Sequence, residues 1–173
     1  PQDKHSYLPY SHAAAVVACE RTELVAVSDP LGETAEAIGQ RYSAGHTYDD
    51  YREMIRRGAL DIHCIATRPG PHAEIAVFAA ESGVRGIYCE KPLCNSMRQA
   101  DAMLGACERH GVKFNYGTQR RYTPLYREAK RLVDEGVVGE FQAVPAHCGG
   151  GAARGERCAA CPVEDIKHLH QPT

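Results

Sequence analysis

Between residues 11 and 147 the chain alternates short apolar runs with helix-like stretches of roughly ten to fifteen residues, and few folds accommodate that alternation. The apolar runs are Glu23–Asp29 (ELVAVSD), Leu60–Thr67 (LDIHCIAT), Gly86–Cys89 (GIYC), Val112–Tyr116 (VKFNY) and an extended stretch, Glu140–His147. Helices are predicted over 12–21, with Ser11 placed to cap, and over 33–42, 49–57, 72–82, 96–110 and 125–135. Strands separated by helices form βαβ units, and their near-continuous hydrophobicity suits strands covered on both faces. The expected fold is therefore an α/β, doubly wound parallel sheet.

In such sheets ligands bind beyond the carboxyl ends of the strands. Read in order, those ends are Asp29, then Ala66 and Thr67, then Glu90, Lys91 and Pro92, then Gly117 to Arg121. An acidic residue closing a strand suits the two hydroxyls of an adenosine ribose, and its charge repels a 2′-phosphate, which favours NAD over NADP. The competing reading makes Asp29 a turn residue before Pro30. Lys91 at the mouth of the sheet offers a positive charge and a hydrogen bond to a substrate oxygen or the nicotinamide ribose, with Pro92 restricting the backbone that aims it. Its competing reading is a surface ion pair with a neighbour such as Glu90.

Composition narrows the classes. Twenty basic and 22 acidic residues give a formal net charge of -2, so no global field attracts nucleic acid or an anionic membrane. No apolar run reaches the roughly 18 residues of a membrane span. A cytoplasmic protein is expected. Cys19, Cys64, Cys89, Cys94 and Cys107 are irregularly spaced through strand-like and helix-like segments, which suits small buried or half-buried residues in a reducing compartment rather than a disulfide framework.

Taken together, these residues resemble the Gfo/Idh/MocA oxidoreductases (glucose–fructose oxidoreductase, inositol dehydrogenase and relatives). The matching stretches are LVAVSDP at 24–30, YDDYREMI at 48–55, LDIHCIATRPGPHAEIA at 60–76, Glu90–Lys91–Pro92, HGVKFNYGTQRRYTP at 110–124, and the Gly139–Glu140 approach to the next strand. The resemblance implies an NAD(P)-binding Rossmann domain followed by a substrate domain, passing a hydride between nicotinamide C4 and a carbon of a sugar, cyclitol or related polyol. It implies that Asp29 holds the adenosine ribose, that Ala66, Thr67 and His72 lie along the cofactor, and that Lys91 is the catalytic residue, contacting nicotinamide ribose and substrate. Glu90 and Pro92 flank and orient Lys91. Gln119 and Arg121 line the nicotinamide end, with Arg120 a secondary candidate between them. His72, next to Gly70 and Pro71 at a helix start, has an alternative role as a local partner of backbone groups, and Tyr116 and Tyr122 are open between packing and substrate contact.

Two departures stand out. The family begins with a strand and a GxGxxG turn that holds the pyrophosphate, and no GxGxxG occurs in this sequence. That first strand sits centrally in the Rossmann order 3-2-1-4-5-6, so the chain by itself is expected to fold poorly and bind NAD weakly. The second departure follows His147, where the sequence loses strand and helix periodicity. The expected organisation is a partial NAD(P)-binding Rossmann domain over 1–138 and the start of a truncated substrate domain with an irregular tail over 139–173, from a longer reading frame that opens before Pro1 and runs beyond Thr173. The longer form is expected to self-associate as a homo-oligomer. Cys158, Cys161, His168 and His170 give four possible zinc ligands, but their spacing matches no standard structural site, and no metal is expected. A non-catalytic α/β remnant or binding module is the alternative to an oxidoreductase. A flavodoxin-like receiver does not account for Glu90–Lys91–Pro92 together with GTQRRY.

Overall fold

The computed structural model describes residues 11–140 and 142–145, and the chain divides into two compact units between Thr123 and Pro124. Cys158, Cys161, His168 and His170 lie outside the described residues.

In the first unit, α1 (His12–Ala18) begins where the Ser11 hydroxyl accepts the Ala14 N–H at 3.2 Å. Then come β1 (Ala26–Ser28), α2 (Gly32–Tyr42), β2 (His46–Tyr48) and α3 (Tyr51–Arg57). Asp50 caps α3 by accepting the Arg52 N–H at 2.8 Å. Next are β3 (Ile62–Ile65), α4 (Pro69–Glu81), β4 (Gly86–Cys89), α5 (Met97–His110) and β5 (Lys113–Tyr116). Ser96 caps α5, and Gly111 ends it at φ 68°, a left-handed conformation that costs glycine little. A 3-10 turn over Gln119–Tyr122 follows.

All strand pairs are parallel. The described strands form two sheets, β1-β2 and β3-β4-β5. Ala26 pairs with His46 in the first, and in the second Ile65 pairs with Cys89, which pairs with Tyr116. In the Rossmann order these correspond to strands 3-2 and 4-5-6, so the break falls at the place of the central strand.

The expected elements differ from the observed ones in several places, and α1 ends at Ala18, three residues short of the expected helix 12–21. The short strand β2 was not expected, because three residues, two of them exposed, carry no period-2 signal and acquire strand geometry only by pairing with β1. The expected helix 72–82 begins three residues earlier, at Pro69, where a missing N–H costs nothing in the first turn. The 3-10 turn after β5 was also not anticipated. Residues 142–145 of the expected extended stretch form no strand.

The core lies under the three-stranded sheet. Ile65, Ile87, Cys89 and Met103 are fully buried, and Ala76, Ala79, Ala80 and Ala106 on α4 and α5 let those helices approach each other and the strands closely. Beneath the two-stranded sheet the close approach is local. A Cβ on Gly39 of α2 would lie 2.5 Å from Thr47 Cγ2, so a larger residue there would have to displace the Thr47 side chain. The second unit contributes α6 (Pro124–Asp134), whose solvated face carries Arg131 between Glu128 and Glu135.

Candidate cofactor site

The parallel strands bring their carboxyl ends to one edge of the first unit. After β1, the Asp29 N–H donates to the Tyr48 carbonyl at 3.1 Å, and its Oδ1 accepts the Leu31 N–H at 2.9 Å. Asp29 is half-buried with a second carboxylate oxygen to offer. The turn-residue reading and the ligand reading are thus compatible, since one oxygen shapes the turn. After β3, Ala66 and Thr67 are exposed, and the Glu90 N–H donates to the Ile65 carbonyl at 2.9 Å, tying the ends of β3 and β4 together.

A cleft of about 830 Å³ runs between β1 and β3, and Asp29, Ala66 and Thr67 line it together with Val25, Val27 and Ile62. Ile62 is 56% exposed although it lies within a sheet strand. The cleft is flanked by edges of β1 and β3 that pair with no other described strand.

Glu90 and Lys91 follow β4. Glu90 Oε2 accepts the Lys91 N–H at 2.9 Å, and its Oε1 lies 3.2 Å from His12 Nε2. Lys91 is exposed, and among the described residues no carboxylate pairs with its ammonium. The surface ion pair with Glu90 is not formed. The Lys91–Pro92 peptide is cis. Gly117, after β5, donates its N–H to the Cys89 carbonyl at 2.8 Å, and a Cβ there would lie 3.2 Å from both the Cys89 carbonyl oxygen and Glu90 Cδ. Gln119 and Arg121 are exposed on the 3-10 turn beyond it. Asn115 Nδ2 donates to the Tyr122 hydroxyl at 3.4 Å.

His72 sits elsewhere. Its ring is 0% exposed, with Nε2 2.9 Å from the Thr67 carbonyl oxygen and Nδ1 3.1 Å from that of Leu93. Of its two readings, the partner of backbone groups is the one displayed, and the ring ties the loop after β3 to the loop after β4. Cys89 Sγ lies 3.4 Å from Nδ1, and burial first, with Glu90 nearby second, pushes that thiol up to about 11, so it stays protonated at neutral pH.

Sequence reasoning missed His12. It was read only as part of an alanine-rich helix, and its contact with Glu90 joins residues 78 positions apart, which no local pattern reports. Gly117 carried a signal, because a glycine directly after a strand often marks a close backbone approach.

A parallel sheet with loops of this kind at its carboxyl ends defines a Rossmann-type nucleotide-binding domain. Residues 6–118 match the Gfo/Idh/MocA oxidoreductase family, NAD-binding Rossmann fold. The scyllo-inositol 2-dehydrogenase (NAD(+)) of Bacillus subtilis (strain 168) is 32% identical over 134 residues, which is 77% of this chain and 39% of that protein. The levoglucosan dehydrogenase of Pseudarthrobacter phenanthrenivorans is 35% identical over 123 residues, 69% of this chain and 30% of that protein. The crystal structure of myo-inositol 2-dehydrogenase from Lactobacillus plantarum superposes with a TM-score of 0.69 at 30% identity, covering 75% of this chain and 38% of that one. The chain belongs to the Gfo/Idh/MocA family of NAD-dependent oxidoreductases and spans less than two-fifths of the length of these relatives.

Proposed function

We propose that this domain binds NAD in preference to NADP along the carboxyl ends of its strands, and that with a substrate domain it oxidises or reduces a sugar, cyclitol or related polyol. The observation that carries this reading is the meeting of Lys91, free of any carboxylate among the described residues, with Glu90, Ala66 and Thr67 at one edge of a parallel sheet. When bound, the nicotinamide supplies the hydride acceptor or donor. Lys91 donates a hydrogen bond to the nicotinamide ribose and to the substrate oxygen whose carbon exchanges hydride, fixing that carbon's approach and stabilising charge on the oxygen. Asp29 accepts from the adenosine ribose hydroxyls, Ala66 and Thr67 line the cofactor's path, Pro92 holds the turn of the lysine loop, and Gln119 and Arg121 border the nicotinamide end. The stretch over 139–173 begins the substrate domain, the longer form self-associates, and the enzyme works in the cytoplasm. No helix among the described residues is long and apolar enough to cross a membrane.

The test is an NADH fluorescence titration of the chain with Lys91→Met and Asp29→Ser beside it. Loss of one charge-assisted hydrogen bond predicts about tenfold weaker NADH binding for Lys91→Met. Asp29→Ser is expected to narrow the preference for NADH over NADPH, because the carboxylate no longer repels a 2′-phosphate. Unchanged NADH affinity in Lys91→Met would leave the non-catalytic binding module as the better reading.

A further inference from the structure

The Glu90 carboxylate has a polar neighbour at each of its two oxygens, with the bare Cα of Gly117 beside it. Its Oε2 accepts the N–H of Lys91, the next residue, at 2.9 Å. Gly117 packs so close that any side chain there would press on Glu90 Cδ. On the remaining side His12 Nε2 approaches Oε1 at 3.2 Å, and the His12 ring lies against Tyr88 with centroids 5.0 Å apart, tilted by 59°. The side chains of His12 and Glu90 are only 28% and 26% exposed, so water competes weakly for the contact. His12 is in turn located by its helix, whose first turn is fixed by the Ser11 cap.

A carboxylate shared in this way has little freedom to rotate. Releasing Oε1 would let the group swing, and the acceptor that orients the Lys91 amide would swing with it. Behind the same loop, His72 holds the Leu93 carbonyl, so the far end of the loop is anchored independently. Only the Glu90 end depends on α1.

We propose that His12 is a positioning residue for Lys91, acting through the Glu90 carboxylate. It touches neither cofactor nor substrate. Its effect on cofactor binding rests on the proposed contact between Lys91 and the nicotinamide ribose, whereas its effect on the Lys91 backbone does not. The ring tilted against Tyr88 fixes where Nε2 sits, and its approach to Oε1 keeps the carboxylate turned toward the Lys91 N–H.

Two measurements on the 173-residue chain test this, using His12→Phe, which keeps a ring for Tyr88 without a donor, and His12→Gln, which keeps a donor. In nitrogen-15 spectra the Lys91 amide proton is expected downfield and slow to exchange. His12→Phe moves it upfield and speeds its exchange, and His12→Gln restores both. In NADH titrations His12→Phe weakens binding by up to about fivefold, the scale of one partly exposed polar contact. In a Lys91→Met background the same change has no further effect, as expected when one residue acts through the other. An unchanged Lys91 amide in His12→Phe with a native circular dichroism spectrum would overturn the proposal, and so would an undiminished His12→Phe effect on NADH in the Lys91→Met background. If the amide responds while Lys91→Met binds NADH like the unmodified chain, the cofactor reading fails and the positioning of Lys91 stands.

Discussion

The β1-β2 and β3-β4-β5 halves of the first unit are built on the same alternation of strand and helix, yet they bury their residues very differently. In the three-stranded half, Ile65, Ile87 and Met103 are sealed between the sheet and α4 and α5. In the two-stranded half no residue of β1 is fully buried, and α2 buries only Ala35 and Gly39. Both halves have the apolar residues needed for a core. A central strand has two neighbours and helices over both faces, while an edge strand has one neighbour and shares its apolar surface with whatever lies beside it. The cleft of about 830 Å³ between β1 and β3 is where that difference arises. Val25, Val27 and Ile62 line it, the valines half-buried and Ile62 exposed.

Unequal packing predicts unequal tolerance to truncation. Met103→Ala removes a side chain with no exposure from a filled core and is expected to cost about 4 kcal/mol in urea denaturation, whereas Val27→Ala, on half-buried β1, is expected to cost about 1 kcal/mol. Equal losses would mean that the two halves share one core.

Acid should act on the border between the halves. His63 of β3 lies 5% exposed, and burial pushes its imidazole down to about 4, against about 6.5 in an unfolded chain. Between those values the unfolded chain binds the proton and the folded one does not. Stability is therefore lost as pH falls from about 6.5 to about 4, by about 3 kcal/mol in all. His63→Phe removes that part of the dependence, which denaturation at pH 7 and pH 4.5 would reveal. A protein whose acid sensitivity is the same with phenylalanine at this position would contradict the assignment.

Filling the cleft should raise cofactor affinity by a smaller but measurable amount. An amino-terminal extension bearing an apolar strand of about five residues and a GxGxxG turn is expected to pair with β1 and β3 and to present backbone N–H groups to a pyrophosphate. Two charge-assisted hydrogen bonds of about 1.5 kcal/mol each correspond to roughly 100-fold tighter NAD binding, measured by calorimetric titration beside the 173-residue chain. Comparable affinities for the two would show that the cleft is not where the cofactor site is completed.

Much of the first unit was legible in the residues. The run at 86–89 became β4 because Ile87 and Cys89 are buried on a sheet with helices packed against it, and the run at 112–116 became β5 with Val112 buried and Phe114 and Tyr116 half-buried beside it. Ser96 and Gly111 marked the ends of α5 because capping is a local interaction. The short strand β2 was not legible, since His46–Tyr48 gains its geometry from a partner twenty residues away. Among the candidate site residues, Asp29, Ala66, Thr67, Glu90 and Lys91 stand at strand ends as their positions implied. His72 was read as a cofactor neighbour or a partner of backbone groups, and only packing showed its ring enclosed between two carbonyls.

The sequence by itself determined the α/β alternation, the family, and which loops stand at the carboxyl ends of the strands, because each is written in local periodicity or in contiguous motifs. Tertiary structure alone decided that His46–Tyr48 pairs with β1, that His72 faces inward, and that His12 meets Glu90. Those outcomes depend on contacts between residues far apart in the chain, whose free energies are set by burial and by which backbone edges find partners, and no short stretch of residues carries that information.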